Sequence, residues 1–344
     1  MPNLYRRSQR KILVLLLSFF LAILLSLTLG QVDISLSAVV GVLGYQWHVP
    51  GFSAAAFTPD QQAILWHIRL PRTLVALLVG AALAVSGAVM QGVFGNDLAD
   101  PGIIGVSSGA AAGAVTAIAS GIGFQHMFYM PLFAFAGALI AVGSTLLLVT
   151  RRGKIPVLPL LLAGVAVSVF LGAITSGILT YMNEQKMQQY LFWMVGGLDF
   201  RRWEHVYLAF WPIGLGIAAL VVLSRHLNVL VLGETEAKGV GMKIMPFRLL
   251  LVFIASLMTA AAVCVSGHIG FVGLVIPHIT RLLVGPDHRI LLPCSALAGG
   301  MFLLICDTLG RLLLCPSEIR TGIMTALLGV PYFLYLLRKL SRPQ

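Results

Sequence analysis

Charge is what this sequence has least of. Asp, Glu, Lys and Arg together make up 10% of its 344 residues, where soluble domains carry about a quarter. A surface that faces water on all sides cannot be built from that supply. No G-x-x-x-x-G-K-[ST] segment occurs, so the chain does not cradle ATP through a P-loop. H-E-x-x-H is missing too, which removes that zinc-protease chemistry. The four cysteines (Cys264, Cys294, Cys306 and Cys315) have no C-x-x-C spacing and sit in or beside apolar stretches. They read as small apolar fillers, not metal ligands. Carboxylates are scarce in the apolar runs as well. Only Asp307 falls inside one, with Arg311 one turn on as an i,i+4 partner. A carrier driven by protons or sodium needs ionisable groups or broken-helix ion sites within the membrane, and little of that is offered here.

What is present is apolar length. The chain is 58% hydrophobic, and runs near the roughly 20 residues that span a bilayer recur from end to end. Ten spans are predicted, at 12–30, 73–93, 102–120, 131–150, 157–180, 204–224, 247–266, 270–284, 292–312 and 321–338. The expected fold is a single all-α, polytopic membrane domain covering residues 1–344. The first run follows Arg6, Arg7, Arg10 and Lys11 like a signal peptide, but it is long for one. The "LTLGQVD" after it lacks a small-x-small cleavage site, so it reads as a retained span. With the basic N-terminus inside, 16 Lys and Arg fall on the cytoplasmic side and 7 outside. An even number of spans then puts both termini in the cytoplasm, as the positive-inside rule asks. The net charge of +11 reflects this bias and not a nucleic-acid partner.

Within the spans, Gly, Ala and Ser recur at three- and four-residue spacing in "VGAALAVSGAVMQG" (Val79–Gly92) and "GVSSGAAAGAV" (Gly105–Val115). Such faces let helices approach closely in lipid. Arg69 and Arg72 share a helical face at the outer mouth of the second span, where Pro71 marks the helix start. The longest cytoplasmic connection, Ser224–Arg248, mixes apolar residues with Glu234, Glu236, Lys238 and Lys243 and is divided by glycines. Two short surface helices fit it, either as an interfacial anchor or as a docking knob for a soluble partner. His268, His278 and His288 are ten residues apart, about −80° per step on a helix, and cannot converge on one metal. Gly267–Pro277 is expected to turn and re-enter the bundle, where non-helical backbone must be buried in protein.

Several long motifs carry a family resemblance. "RLPRTLVALLVGAALAVSGAVMQ" (Arg69–Gln91), "LADPGIIGVSSGA" (Leu98–Ala110), "LGETEAKGVGM" (Leu232–Met242) and "GHIGFVGLVIPHITRLLVGPDHRILLP" (Gly267–Pro293) stand in the order and spacing of the ABC importer permeases for metal chelates. "WMVGGL" (Trp193–Leu198) and "GIMTALLGVPYFLYLL" (Gly322–Leu337) extend the match over nearly the whole chain. The resemblance implies a type II importer permease in a bacterial inner membrane, with ten spans. It pairs with a second permease copy, as a homodimer, and moves haem, a ferric siderophore or cobalamin, haem being slightly favoured. Two cytoplasmic ATPases bind the ATP and Mg, a periplasmic or lipid-anchored protein delivers the substrate, and the chain itself has no cofactor and catalyses no covalent chemistry. The same resemblance assigns Arg69, Arg72 and Arg311 to docking of the binding protein. It assigns residues 225–246 to the coupling helices, with Leu232, Gly233, Glu234, Ala237 and Gly241 at the ATPase. Asn96, Leu98, Val157 and Leu158 fall at the cytoplasmic gate. Asp97 departs from the proline usual between Asn96 and Leu98, which puts the stiffness of that turn in question.

Two other classes compete. A gradient-driven secondary transporter would work without an ATPase, and the coupling segment and the scarcity of buried carboxylates argue against it. A membrane enzyme or haem-binding redox protein would need two histidines facing each other inside the bundle, and most of the eight lie at span ends.

Overall fold

The computed structural model describes residues 2–53, 57–150 and 157–340. Arg151, Arg152, Lys154 and Arg342, counted above as cytoplasmic charges, lie outside them. The described residues are helical throughout, with no strand. In chain order the helices are α1 (Pro2–Thr28), α2 (Leu36–Gln46), α3 (Pro59–Ala63), α4 (Leu70–Phe94), α5 (Val106–Ala119), α6 (Tyr129–Val149), α7 (Val157–Thr180) and α8 (Glu184–Val195). They continue with α9 (Trp203–Val222), α10 (Ser224–Val231), α11 (Glu234–Gly239), α12 (Ile244–Ser266), α13 (Val272–Val284), α14 (His288–Leu313) and α15 (Thr321–Leu340). Among the described residues seven helical segments are long and apolar enough to cross a membrane, α3 and α4 counting as one. With the shorter α5, α13 and α15 they fall on the ten predicted spans.

The second span starts earlier than its proline suggested. α3 runs through a π-helical turn, Ile64–Arg69, directly into α4. Pro71 therefore sits inside a continuous rod instead of opening a helix. The widened i→i+5 turn just before it absorbs the ring and the missing N–H. α2 fills the connection ahead of this rod. Val39, Val42, Ile34 and Leu65 make a small separate core there, and the Trp203 indole N–H donates to the Trp66 carbonyl oxygen at 2.9 Å.

α4 is the central pillar. From Val75 to Phe94 nearly every side chain is buried, on all sides. A helix apolar all round belongs inside a bundle, and α4 meets its neighbours through the small residues seen in its sequence. A Cβ added at Gly80 would overlap the carbonyl oxygen of Gly299 in α14, and one at Gly87 would overlap that of Gly273 in α13. Gly109 of α5 and Gly137 of α6 are in the same mutual contact. In lipid, where helices gain nothing by hiding from water, such backbone-to-backbone approach supplies the packing.

The non-helical stretch before α13 is shorter than expected, Gly267–Phe271, and Pro277 lies within the helix. Phe271 adopts a left-handed φ of +68°. It fits because Gly329 of α15 has no side chain where the Phe271 ring lies.

The glycine contacts give a direct test. Gly80→Val should destabilise the detergent-purified protein by about 1–3 kcal/mol or more through overpacking, read as a lowered melting temperature. Gly143→Ala, which faces open space, should leave the melting temperature unchanged.

Candidate functional site: a charged bolt and a coupling module

The bundle has two chemically different ends. At one, Asp307 of α14 is buried at 1% exposure. Its carboxylate receives a two-pronged grip from Arg72 of α4, Nε to Oδ2 at 2.9 Å and Nη2 to Oδ1 at 2.9 Å. Arg72 Nη1 also reaches Glu318 at 2.8 Å, and Nη2 lies 3.4 Å from Asp199. The Thr321 hydroxyl at the start of α15 donates to Asp307 at 2.9 Å. Arg311 Nε lies 3.3 Å from Asp307, and its Nη2 donates to the Ser26 hydroxyl of α1 at 3.0 Å. Arg320, stacked over Phe192, pairs with Asp199 at 3.4 Å. Three cations and three carboxylates thus close a network joining α1, α4, α14, α15 and the loop before α9.

Arg69 is buried alongside, its guanidinium donating to the carbonyl oxygens of Leu27, Thr28 and Val32 at the end of α1. Arg69, Arg72 and Arg311, which the resemblance assigns to docking, thus all lie at this end of the bundle. All three are buried at 5–7% exposure and committed to groups of this chain. Their partners lie up to 285 residues away, so nothing local in the sequence announces them. Beside the network is a crevice of about 550 Å³, lined by Arg72, Asp199, Arg201, Arg202, Glu318 and His67 among others. Arg202 is exposed there.

At the opposite end, α10 and α11 form the pair of short helices expected within Ser224–Arg248. Ala237 is buried, while Leu232 and Val240 are 70% and 72% exposed. Gly233, at φ +124°, opens α11, and Gly241, at φ +77°, ends it. Glu234 binds Arg248 of α12 at 2.9 Å and lies 3.9 Å from Lys238. The pair is also tied to α14. Asn228 Oδ1 accepts from the His288 backbone N–H at 2.9 Å and lies 2.7 Å from His288 Nδ1, while its Nδ2 donates to Asp287 at 2.7 Å. Asp287 caps α14 by accepting from the Arg289 N–H. That N–H, and then the Asn228 amide, hold the Asp287 carboxyl below its ordinary range. The tie is therefore intact at neutral pH and loosens only as pH falls through that lowered value. Asn228 carried no motif and was missed in the sequence.

The turn after α4 lies at this same end. Asn96 Oδ1 accepts from the Leu98 N–H at 2.9 Å, closing the turn on itself. Asp97 makes a 2.7 Å ion pair with Arg281 of α13 and lies 3.6 Å from His278. Arg281 also donates to Gln91 at 3.1 Å, and Gln91 to the Leu274 carbonyl oxygen at 3.1 Å. The residue that replaces a proline thus fastens the turn to α13 instead of leaving it loose. Val157 is the first residue of α7, and Leu158 next to it is 65% exposed. The three histidines of the opening motif have three separate settings: His268 is exposed in the Gly267–Phe271 turn, His278 faces Asp97, and His288 bonds Asn228.

In a Cys315→Ser background, which removes the exposed thiol, Leu232→Cys should react with a water-soluble maleimide at least ~10-fold faster than Ala237→Cys, because the latter reacts only on local opening. Equal rates would mean that α11 is not seated.

Comparison with known proteins covers the chain from end to end. The FecCD transport family model matches residues 16–339. The vitamin B12 import system permease protein BtuC of Escherichia coli is 42% identical over 348 residues, 99% of this chain and all of that one. The cobalamin import system permease protein BtuC of Halobacterium salinarum is 48% identical over 281 residues, 80% of this chain and 74% of that one. A solved structure described as an inward-facing conformation of a metal-chelate type ABC transporter superposes with a TM-score of 0.83 at 34% identity, covering 96% of this chain and 99% of that one. The chain is a multi-pass membrane permease subunit of an ABC importer, and it belongs to the FecCD transport family.

Proposed function

We propose that this permease imports cobalamin, a cobalt chelate, and that a homodimer of it forms the pathway. The observation that carries the substrate reading is the end-to-end match to a vitamin B12 permease. It moves the preference from haem, which the sequence had put slightly ahead. The α10–α11 end faces the cytoplasm in this reading, as the basic residues of α1 and the positive-inside rule favour. Both termini are then cytoplasmic.

An ATPase subunit, which binds ATP and Mg, seats against the exposed Leu232 and Val240 and the glycine-bounded α11. Movement of that subunit reaches the bundle along two short ties, Asn228 to α14 and Glu234 to Arg248 of α12. The gate lies at the same end. Asn96 and Leu98 form its turn, and Leu158, exposed on each copy, closes the other side with Val157 by keeping water out of an apolar constriction. A binding protein docks at the opposite end. The charged surface open to it is the crevice of Arg201, Arg202, Asp199 and Glu318, with Arg69, Arg72 and Arg311 bracing it from below. Acidic side chains on the partner would meet Arg202 first.

The test is uptake of radiolabelled cobalamin into vesicles holding the permease with its ATPase and binding protein. ATP-dependent uptake competed by unlabelled cobalamin, and not by haem, supports the reading. Uptake of haem or a ferric siderophore alone overturns the substrate, and uptake driven by a proton gradient without ATP overturns the mechanism. In the same vesicles Asn228→Ala should lower transport per ATP hydrolysed several-fold, since its bonds to His288 are worth about 0.5–1.5 kcal/mol each and its bond to the Asp287 carboxylate about 1.5–3 kcal/mol. Asp97→Asn should raise ATP hydrolysis in the absence of binding protein by freeing the gate turn from α13. Unchanged coupling in both would remove these ties from the mechanism.

A further inference from the structure

The transport reading uses both ends of the bundle and leaves one feature on its flank without a role. α1 leans on the bundle by one edge only, with 17% of its apolar window buried. Between it and the neighbouring helices lie two adjoining cavities, of about 410 Å³ and 240 Å³, which share Lys11, Leu15, Leu283 and Met301. Their walls are three helix faces at helical spacing: Lys11, Leu15 and Ser18 of α1, Ile276, Thr280 and Leu283 of α13, and Ala298, Met301 and Ile305 of α14. The deeper cavity demands nothing polar of an occupant. The Thr280 hydroxyl, its one neutral polar side chain, already donates to the Ile276 carbonyl oxygen at 2.8 Å.

The mouth is different. Arg10 and Lys11 line the outer of the two cavities, and no carboxylate of the described residues pairs with either. Lys11 Nζ donates once, to the Leu283 carbonyl oxygen in the last turn of α13, at 2.7 Å. An ammonium has three donors, so that bond fixes Lys11 at the mouth and leaves two N–H groups to spare. α1 carries no acidic residue at all. From Arg10 to Ser18 the groove runs about 12 Å along the helix axis, from the level of a headgroup into the hydrocarbon.

We propose that this groove is a binding site for an anionic phospholipid of the leaflet at the α10–α11 end. Arg10 and Lys11 take its phosphate, and one acyl chain lies between α1, α13 and α14. The shape suits an alkyl chain, and the two unpaired cations supply selectivity for negative charge, as basic pockets between membrane helices do. Because α13 also carries Arg281, which holds the gate turn through Asp97, an occupant wedged along α13 would brace the gate side of the bundle. The site requires that the chain spans a membrane; it is independent of the substrate and of the ATPase.

The experiment is photo-crosslinking in nanodiscs of phosphatidylcholine doped with photoactivatable phosphatidylglycerol, with labelled peptides mapped by mass spectrometry. Labelling is expected to concentrate on peptides holding residues 10–18, 276–284 and 298–305. Arg10→Gln/Lys11→Gln should cut it at least ~5-fold, in keeping with about 1 kcal/mol per basic residue near a charged membrane surface. Arg225→Gln/Lys243→Gln, removing as much positive charge elsewhere at the same end, should leave it unchanged. Met301→Trp, which fills the groove but keeps both cations, should abolish labelling there too. Each variant is scored on its monodisperse fraction, so loss of folding is read separately. Equal labelling by photoactivatable phosphatidylcholine overturns the proposal. So does labelling that survives the loss of Arg10 and Lys11.

Discussion

The Arg72–Asp307 pair is the interaction on which the rest of this structure depends. A carboxylate buried among membrane helices is tolerable only when fully matched, because the surroundings offer no water to share its charge. Asp307 is matched by two arginines and a threonine from three helices. Satisfying one charge therefore fixes the mutual position of α4, α14 and α15, and Ser26 extends the constraint to α1. The close glycine contacts along α4 continue that register down the bundle. One end is held by many strong, interlocked bonds.

The other end is joined differently. α10 is seated on α4 by the fully buried Leu227 and tied to α14 by Asn228, α11 is held by Ala237 and by Glu234 to Arg248, and the turn after α4 is held to α13 chiefly by Asp97 and Arg281. Such contacts are strong enough to transmit a displacement and weak enough to exchange. In the function proposed above, a bundle held by interlocked charges at one end and tied by exchangeable polar contacts at the other would convert movement of an attached ATPase into a change at the gate. In the same proposal, exposed apolar Leu158 would let that end close without a charged plug. The groove beside α1 belongs to the same end, where the surrounding membrane can bear on α13.

How much of this was written in the sequence depends on how local the signal is. Hydropathy over twenty residues is local, so the ten spans were legible, as were the small-residue faces of α4 and α5 and the two short helices of 225–246. The π turn before Pro71 was not, because the proline signals a helix start unless the preceding turn is known to widen. The bonds of the outer arginines were hidden for a deeper reason. Arg69 and Arg72 look like rim residues when only their neighbours are considered, and their true partners come from α1 and α14. Asn228 and Asp97 were invisible or merely odd, since an isolated polar residue acquires meaning only from what the fold sets opposite it.

A double-mutant cycle between Arg72 and Asp307 tests the central claim most directly. Thermal stability and affinity for the binding protein would be measured on Arg72→Gln, Asp307→Asn and the double variant. The account predicts that each single change costs about 3–5 kcal/mol, as breaking a buried pair does. The double variant should cost far less than their sum, with affinity of the folded fraction little altered by Asp307→Asn. Additive, small losses of stability together with lost binding-protein affinity would contradict it, and would return Arg72 to the surface as a docking residue.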